Sequence, residues 1–548
     1  MQSPLRSAPK PRHHRVLLQF DYDCFYAQVV EKKNPSLESG PLGIRQKNIL
    51  ATCNYHARRR GVRKLMLVSE AVTVCPDLVL VSGEDLTPFR DTSKKLFNFF
   101  RSHSWNNKVE RLGLDEVFMD VTDMVEYNLS CLNTMSMADS FFCLSREDPE
   151  HGFSCDLTSI AGCIVGPPAS AAQLQDRTYL RLLLASHLAQ YLRLKVETDL
   201  GYTSTCGIAT NKLLSKLVGG CNKPRNQTTL LALKEDVVSS FIDGYRLKQL
   251  PGLGTKMAHS LQSRILAQDP EAQLADSHLT VGQVRHHPSI SPATLETLLG
   301  GAGAGAEKGV GLRVWRLLHG VDHTEVKEAS DVPSQISIED TYKGLETMAQ
   351  ISEQLHKLSR SLVRRLRSEL VACDDAGAQR WIARPRTLRL SIRSWPTRQA
   401  AGGDGEENHG FSRVSRSGPL PAFIFDLDVD VGEVGQQLVA EALIPLLRRL
   451  QNGQRWNVQL LNICVANMAD DKMGTGRDIG VMFRTQDEAL RPWKASEGSS
   501  TAEAAFESEE ADMDSGWDST QHPSCPRCGH LVPGFAMEAH ARYHELEE

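Results

Sequence analysis

Apolar and polar residues alternate along the first 240 positions in a way that predicts both strands and helices. The apolar runs VLLQFD (16–21) and LVLVSG (78–83) are typical of buried strands. The segment VERLGLDEVFMDVT (109–122) alternates on both sides of Gly-Leu-Asp-Glu, which predicts two strands around a tight turn. The same patterns predict helices at 87–103, 179–201 and 211–218, a helical stretch from Cys53 to about Val74, and a strand at 203–209.

A second patterned block covers residues 334–470. Its pattern predicts a long amphipathic helix at 344–371, a strand at 386–395 and a helix near 443–450, followed by the apolar run 458–468. Residues 125–178 are rich in Ser, Cys and Gly with weak periodicity, so we expect an insertion there. The predicted fold class is α+β, and 548 residues suffice for about three to five domains of ~100–200 residues.

The charge balance excludes a uniformly basic coat protein for nucleic acid but leaves room for local basic surfaces. The chain has 62 Lys and Arg against 67 Asp and Glu, a net charge of −5. Residues 340–399 carry 12 basic and 6 acidic side chains, whereas residues 497–522 carry eight acids and no Lys or Arg. We therefore expect a basic surface in the second block, and an acidic solvated linker over residues 471–522.

Cysteine usage and hydropathy indicate the compartment. Of 13 cysteines only Cys525 and Cys528 form a close pair, which is typical of a reducing intracellular environment. No stretch approaches the ~18 apolar residues of a membrane span, so we expect no membrane association. Residues 1–14 are basic and Pro-rich without an apolar core, which predicts a disordered N-terminus and no secretory signal.

Three carboxylates form the strongest candidate for chemistry. Asp21 ends one predicted strand, and Asp115 and Glu116 lie between two others. Carboxylates at the ends of neighbouring strands converge, and such oxygen ligands suit Mg²⁺, which in pairs can activate a hydroxyl and stabilise a leaving pyrophosphate. The alternative is that these acids only cap turns, which is the commoner role for isolated acids. We assign that structural role to Asp23 and Asp120.

The residues around these acids resemble those of the Y-family translesion DNA polymerases. The resemblance covers roughly residues 15–470 and is weakest over 125–178. Any one of its motifs is unspecific, but seven in this order are highly specific. They are D-Y-D-C-F-Y-A-Q-V (21–29), T-C-N-Y-H-A-R (52–58), G-V-R-K-L-M (61–66), G-E-D-L-T (83–87), R-L-G-L-D-E-V-F-M-D (111–120), G-I-A-T-N-K-L-L-S-K-L (207–217) and N-K-P (222–224).

This resemblance implies a DNA-directed DNA polymerase that adds deoxynucleotides opposite damaged template with two Mg²⁺ ions, which Mn²⁺ can replace. Asp21, Asp115 and Glu116 would be the catalytic metal ligands, with the Tyr22 carbonyl as a further ligand. Tyr26 would be the steric gate against ribose; its alternative is an ordinary core aromatic. The triphosphate would contact Thr52, Tyr55, Arg58 and Lys223, and the new base pair would contact Gln46, Ile49, Ala51, Lys64 and Leu65.

Spacing and side-chain size bear on three of these positions, Tyr55, Arg58 and Ala51. Tyr55 and Arg58 are three apart, so on a helix they share one face. The resemblance leads us to expect a bulkier aliphatic side chain at the position of Ala51. Because alanine is small, we expect a wider pocket here. Lys212 and Lys216 are left unassigned, because solvated helix lysines explain them equally well.

Two further regions are predicted to hold DNA. LPGLG (250–254) resembles a helix-hairpin-helix, in which Gly252 and Gly254 let the backbone approach a phosphate; a helix C-cap turn is an equal alternative. The basic second block occupies the place of the family's little-finger domain. We expect a phosphate-tracking surface there rather than a merely solvated face. Its predicted members are Arg386, Arg389 and Arg393 on the strand and Arg360, Arg364, Arg365 and Arg367 on the helix.

The last residues predict a zinc site. Cys525 and Cys528 are followed by His540 and His544, which lie four apart on one helix face. Two thiolates and two imidazoles make a closed tetrahedral site, and His530 is not needed as a ligand. The module resembles the ubiquitin-binding zinc fingers at polymerase C-termini, which implies ubiquitin or a ubiquitinated replication clamp as a partner. Arg542 stands where those fingers often carry Asp.

The resemblance implies a right-hand layout and a nuclear location, with primer–template DNA and deoxynucleoside triphosphates as partners. Three alternatives stay open: a bypass polymerase of another branch of the family, a non-catalytic ubiquitin-reading scaffold on this fold, and a nucleotidyl cyclase. The expected boundaries are 1–14 disordered, 15–25 with 86–236 palm, 26–85 fingers, 237–330 thumb, 334–470 little finger, 471–522 acidic linker and 523–548 a small ββα-like zinc finger.

Overall fold

The structure is a computed structural model, and it divides into two compact units between Pro333 and Ser334. It describes residue 9 and residues 14–167, 175–266, 279–300, 308–373, 377–395, 413–450 and 456–470. Both units mix helices and sheets, which confirms the predicted α+β class.

In its described residues, the first unit has eleven strands. Most predicted strands are confirmed, while the hairpin at residues 42–53 was missed. The strands are β1 (Leu17–Tyr22), β2 (Leu42–Gln46), β3 (Ile49–Cys53), β4 (Val79–Ser82), β5 (Val109–Leu112), β6 (Glu116–Asp120), β7 (Ser140–Cys143), β8 (Gly152–Cys155), β9 (Cys163–Val165), β10 (Ser204–Ala209) and β11 (Gln227–Leu230).

Its helices follow the amphipathic stretches. Thr87–Ser102 and Lys212–Gly219 match their predicted ranges closely. The helices are α1 (Phe25–Lys33), α2 (Tyr55–Arg59), α3 (Val68–Val74), α4 (Thr87–Ser102), α5 (Thr122–Cys131), α6 (Arg177–Lys195), α7 (Lys212–Gly219), α8 (Glu235–Asp243), α9 (Thr255–Leu266), α10 (Val281–His286), α11 (Pro292–Leu299) and α12 (Val310–Leu318).

A six-stranded sheet in the order β5-β6-β1-β10-β11-β9 forms the centre of the first unit. Its middle strands are almost wholly buried because helices cover the sheet, and α6 alone contributes eleven buried residues. The Phe20 and Phe100 rings pack with centroids 4.3 Å apart. Each such buried side chain stabilises the fold by roughly 1.5–3 kcal/mol, so the sheet is a rigid base for residues at its strand ends.

A smaller sheet, β3-β2-β4, packs with α2 and α3 around its own core. The prediction of one helical stretch from Cys53 to Val74 was wrong, because two short helices flank an irregular segment. Gly61 and Leu65 have φ angles of 93° and 65° there, a region that a helix cannot include. This segment turns the chain back against β3, where the Leu65 amide donates to the Leu50 carbonyl at 2.8 Å.

Residues 125–178 were expected to be an insertion, and their described part, 125–167 and 175–178, packs into the main fold. β9 pairs with β11 at the edge of the large sheet, and Phe142 is fully buried in the main core. The Phe153 ring stacks on Tyr191 of α6 at 4.3 Å. The strands here have only three or four residues, too few for their alternation to stand out in the sequence.

Helices α8 to α12 form a further core around Leu261, Val314 and Leu318. The segment LPGLG lies between α8 and α9, after a short 3₁₀ turn at Leu247–Gln249. Gly252 has φ 87°, and a Cβ there would lie 3.0 Å from a Leu317 methyl carbon, so glycine is required. Most of the glycine-rich segment 300–306 lies outside the described residues.

The second unit is a four-stranded antiparallel sheet, β12-β17-β15-β16, with helices packed on it. The predicted long helix, the strand near 386–395 and the helix near 443–450 are confirmed. The apolar run 458–468, to which no element was assigned from the sequence, is a strand, and β12 and β16 were missed. The elements are β12 (Gln335–Leu345), α13 (Met348–Leu370), β13 (Val371–Cys373), β14 (Gln379–Trp381), β15 (Ala383–Ser394), β16 (Arg413–Pro419), α14 (Val431–Leu438), α15 (Ile444–Leu450) and β17 (Val458–Asp470). Across the described part of the chain, no helix combines the length and apolarity that crossing a membrane requires.

Candidate active site

The three predicted carboxylates lie together at one end of the large sheet. β1 pairs antiparallel with β6, so Asp21 stands directly opposite Glu116. The Tyr22 amide donates to the Asp115 carbonyl at 2.9 Å. Opposite residues in such a pair have Cβ atoms about 5 Å apart. All three acids, with Tyr22, line one cavity of about 890 Å³, so the expected convergence of the strands is confirmed.

Lysines neutralise two of these acids. The Lys223 ammonium lies 2.6 Å from Asp21, and the Lys216 ammonium lies 2.5 Å from Glu116. Burial raises the pKa of Asp115, and the neighbouring charges of Asp21 and Glu116 raise it further, while Lys223 opposes them. Bringing three carboxylates together is unfavourable without cations, because like charges repel strongly where water is scarce.

The oxygen atoms of the three carboxylates fit a divalent cation, although two of the carboxylates pair with lysines in this structure. Within the described ranges, no group of three or more His, Cys, Asp or Glu side chains is arranged to hold a metal. The three carboxylates nevertheless supply hard oxygen donors, which is the ligand class that Mg²⁺ prefers. A bound cation would relieve the same repulsion that Lys216 and Lys223 relieve in this structure.

The same cavity also has a cationic part. The Arg58 guanidinium lies 4.6 Å from the centre of the Tyr55 ring, which confirms that the two side chains share one helix face. Its Nε donates to the Cys53 carbonyl at 3.1 Å, and a terminal nitrogen lies 3.4 Å from the Thr52 hydroxyl. Thr52, Tyr55 and Arg58 are thus one contact group that still faces the cavity.

Asn54 fixes this group in place. Its side-chain oxygen accepts from the Ala57 amide at 3.0 Å, which caps α2, and from the Leu42 amide at 3.1 Å. Its nitrogen donates to the Gly40 carbonyl and to Glu31, both at 2.8 Å. One buried amide therefore ties α2 to β2 and to α1, and the role of this residue was missed in the sequence.

Tyr26 forms the wall of the cavity next to the carboxylates. It lies on α1, and its ring stacks on Phe89 of α4 with centroids 4.2 Å apart and an interplanar angle of 17°. Burial raises the pKa of its hydroxyl, and the Asp115 charge adds to that rise. The ring is therefore held rigidly, and its assignment as a steric gate stays a prediction.

The remaining predicted pocket residues line the same cavity. The Gln46 side chain donates to the Gly83 carbonyl at 2.9 Å. Leu65 is 67% exposed, an unusual exposure for a leucine, because its backbone conformation turns it outward. Gln46, Ile49, Ala51, Lys64 and Leu65 all contribute to the lining, together with Cys24, Phe25, Val62, Arg63, Gly113 and Leu114, which the sequence did not single out.

Three residues near the site take other roles. Asp23 and Asp120 are buried and accept bonds from threonine hydroxyls, in agreement with the structural role expected for them. Lys212 pairs with Glu110 at 2.7 Å. The contact of Lys216 with Glu116 was missed, because a lysine spaced four residues after another on a helix is usually solvated.

The LPGLG turn presents backbone to solvent. Leu250 and Leu253 are buried, whereas Gly252 and Gly254 are exposed. The Gly254 carbonyl accepts from the Ala258 amide at 3.0 Å, so Gly254 begins the first turn of α9. This geometry is that of a hairpin leading into a helix, rather than the C-terminal cap of a preceding α-helix.

The predicted arginine surface is divided between faces of the second unit. Arg389 and Arg393 share one face of β15, while strand alternation places Arg386 on the other side, with Leu388 and Leu390. A terminal nitrogen of Arg389 lies 3.2 Å from the Gln335 side-chain oxygen. Strand alternation therefore separates Arg386 from the other two, although Arg386 is also exposed. That all three contact phosphates stays a prediction.

Two of the helix arginines serve the fold itself. The Arg365 side chain donates to the Ser337 carbonyl at 2.8 Å. Arg367 donates to the carbonyls of Asp426 and Val429 at 2.8 and 2.7 Å. Arg360 and Arg364 are exposed. The predicted zinc ligands, Cys525, Cys528, His540 and His544, lie outside the described residues, as does the acidic linker.

Comparisons with known proteins identify the family of the chain. Residues 20–220 match the impB/mucB/samB family, and residues 333–477 match the C-terminal domain of that family, together more than half of the chain. The chain is 32% identical over 457 residues to human DNA polymerase iota, covering 83% of this chain and 52% of the relative. It thus spans about half the length of the curated relatives it matches.

Other relatives match less of the chain. Drosophila melanogaster DNA polymerase eta is 30% identical over 45% of this chain and 30% of its own length. DNA polymerase IV of Francisella philomiragia is 27% identical over 65% of this chain and 79% of its own length. Four motifs of this chain predict a likeness to DNA polymerase iota: G-L-D-E, T-C-N-Y, K-L-M and V-E-R-L-G. The match to human DNA polymerase iota, which covers more of the chain than the other two matches, supports this prediction. The chain belongs to the impB/mucB/samB family of Y-family DNA polymerases.

Proposed function

We propose that this chain is a DNA-directed DNA polymerase of the translesion type. The observation that carries the proposal is the single cavity in which Asp21, Asp115 and Glu116 face Thr52, Tyr55 and Arg58. Acids on one side suit metal ions, and cations on the other suit a triphosphate. Its substrates would be primer–template DNA and deoxynucleoside triphosphates, and its place of action the nucleus.

The residues of the cavity would divide the work. Arg58, held over Tyr55 by its bond to the Cys53 carbonyl, offers paired donors to phosphate oxygens. When the nucleotide enters, Lys223 would leave its ion pair with Asp21 and pair with a phosphate instead. Asp21, Asp115, Glu116 and the Tyr22 carbonyl would hold two Mg²⁺ ions, or Mn²⁺. When bound, these ions would activate the primer hydroxyl and stabilise the leaving pyrophosphate.

The other regions would hold DNA. We assign residues 15–25 and 86–236 to the palm, 26–85 to the fingers, 237–330 to the thumb and 334–470 to the little finger. Exposed backbone at Gly252 and Gly254 suits one DNA phosphate. Arg389 and Arg393 suit a phosphate track on the open face of β15, which leaves Arg386 to contact DNA only from the opposite face.

The alternatives are less well supported. A non-catalytic scaffold would not need to keep all of Asp21, Asp115, Glu116, Arg58 and Lys223 in one cavity. If the chain were a nucleotidyl cyclase, the LPGLG turn would have no role, because a cyclase does not need to hold DNA. A polymerase of the eta type is the nearest competitor, because the zinc-finger segment resembles that type.

Removal of the acids tests catalysis. We expect Asp115→Asn or Glu116→Gln to lower Mg²⁺-dependent primer extension by about 10³-fold or more, since two-metal catalysis loses a ligand. Binding of primer–template DNA, measured by fluorescence anisotropy, should stay within about twofold because these acids do not contact its backbone. Asp120→Asn is the matched control, because this buried acid lies at the far end of the same strand as Glu116. Near-normal extension by both site variants contradicts the assignment.

Sugar discrimination tests Tyr26. Tyr26→Ala should raise the ratio of ribonucleotide to deoxyribonucleotide incorporation on the order of tenfold or more, because the ring no longer excludes the 2′-hydroxyl. Single-nucleotide insertion kinetics with both sugars measure this ratio. Phe89→Leu, which removes the stacking partner but keeps the gate, should change the ratio less. An unchanged ratio in Tyr26→Ala means that another residue is the gate.

We also propose a zinc finger at residues 523–548, ligated by Cys525, Cys528, His540 and His544, that binds ubiquitin or a ubiquitinated clamp. Zinc sites of this kind supply about 10–16 kcal/mol of folding free energy. The purified full chain should contain one zinc ion, and Cys525→Ser should lose it while Cys131→Ser keeps it. Ubiquitin titration should then show weak binding that Arg542→Asp strengthens. Full zinc occupancy in Cys525→Ser contradicts the ligand set, and an unchanged ubiquitin affinity in Arg542→Asp contradicts the partner.

A further inference from the structure

Asp23 connects three segments that surround the candidate active site. It lies two residues after Asp21 and is only 2% exposed. One carboxylate oxygen accepts from the Thr205 hydroxyl at 2.9 Å. The other accepts from the Thr203 hydroxyl at 3.0 Å and from the backbone amide of Arg225 at 2.9 Å. A buried carboxylate with three donors is costly to disturb, because each lost partner leaves an unpaired polar group.

The contact with Arg225 concerns the loop that carries Lys223. Only Pro224 separates the two residues, so fixing the Arg225 amide also limits where the Lys223 side chain can begin. The Lys223 ammonium reaches Asp21 at 2.6 Å. The far side of the loop is tied down as well, since the Arg225 side chain pairs with Glu197 in the turn after α6.

The same acid fixes the strand that supports Asp21. Thr205 stands opposite Asp21 in the pairing of β1 with β10, and the Asp23 amide donates to the Thr203 carbonyl at 3.1 Å. The positions of Asp21 and Lys223 therefore both depend on the side chain of Asp23. A displacement of about 1 Å in such an arrangement can cost about 10²-fold in rate or binding.

We propose that Asp23 is a positioning residue, which sets Lys223 for the triphosphate by holding the Arg225 amide. This inference rests on the proposed polymerase function, in which Lys223 contacts the incoming nucleotide. Asp23 reaches Lys223 through the loop, by way of the Arg225 amide. If Lys223 is displaced, it binds the nucleotide less tightly in the ground state. Loss of the Asp23 contact should therefore raise KM more than it lowers kcat.

The test compares truncation with a conservative change. Asp23→Ala should raise the KM for deoxynucleotide by about ten- to hundredfold, with kcat within a few fold. Asp23→Asn should stay close to wild type, because its carboxamide oxygen can still accept from the Arg225 amide while the threonine hydroxyl reorients. Should Asp23→Ala fold poorly, Asp23→Ser supplies a second truncated side chain.

A double-mutant cycle separates positioning from general loss of structure. In a Lys223→Ala background, Asp23→Ala should raise KM by no more than about twofold, because the residue through which it acts is gone. Asp120→Ala is the matched control: this buried acid also accepts from a threonine hydroxyl and a backbone amide, at 2.6 and 3.0 Å, and it should leave KM unchanged.

The possible outcomes are distinct. Additive effects of Asp23→Ala and Lys223→Ala, an equal KM rise in Asp120→Ala, or a fall confined to kcat would each overturn the positioning role. If the wild-type chain adds no nucleotides at all, the proposed function fails instead. If it extends primers and Asp23→Ala has a normal KM, only this inference fails.

Discussion

The repulsion among three carboxylates at one sheet end is the constraint that organises this molecule. The pairing of β1 with β6 forces Asp21 and Glu116 into opposition, and Asp115 joins them at the turn. Burial makes this concentration of charge unfavourable unless cations approach. In the structure Lys216 and Lys223 supply them, and in the proposed reaction divalent ions would. The contact group of Thr52, Tyr55 and Arg58 in the same cavity then suits the phosphates that accompany such ions.

Rigid packing around the cavity keeps these charges in place. The Tyr26 ring is fixed against Phe89, and Asn54 holds the first turn of α2, on which Arg58 depends. Each of these supports joins elements that are far apart in sequence. The geometry of the site is therefore a property of the whole first unit, not of a local motif, and preorganised sites of this kind avoid reorganisation during the reaction.

Sequence reasoning predicted the components of the site better than their supports. The alternation around Gly-Leu-Asp-Glu predicted strands β5 and β6, and the spacing of Tyr55 and Arg58 predicted their contact. It missed the contact of Lys216 with Glu116 and the role of Asn54, because those depend on pairings between distant segments. It placed Arg386 with Arg389, although strand geometry separates them, and it took 125–178 for an insertion, because strands of three or four residues have almost no visible period.

In the proposed reaction, the acids and the cations of the cavity bind one metal–triphosphate unit together. The most direct measurement is the affinity of a non-hydrolysable deoxynucleotide analogue for the chain on primer–template DNA, with and without Mg²⁺. We expect Mg²⁺ to raise this affinity by about tenfold or more in the wild type, a typical coupling between linked sites, and by no more than about twofold in Asp21→Asn. An equal rise in both proteins would show that the two groups do not bind one unit.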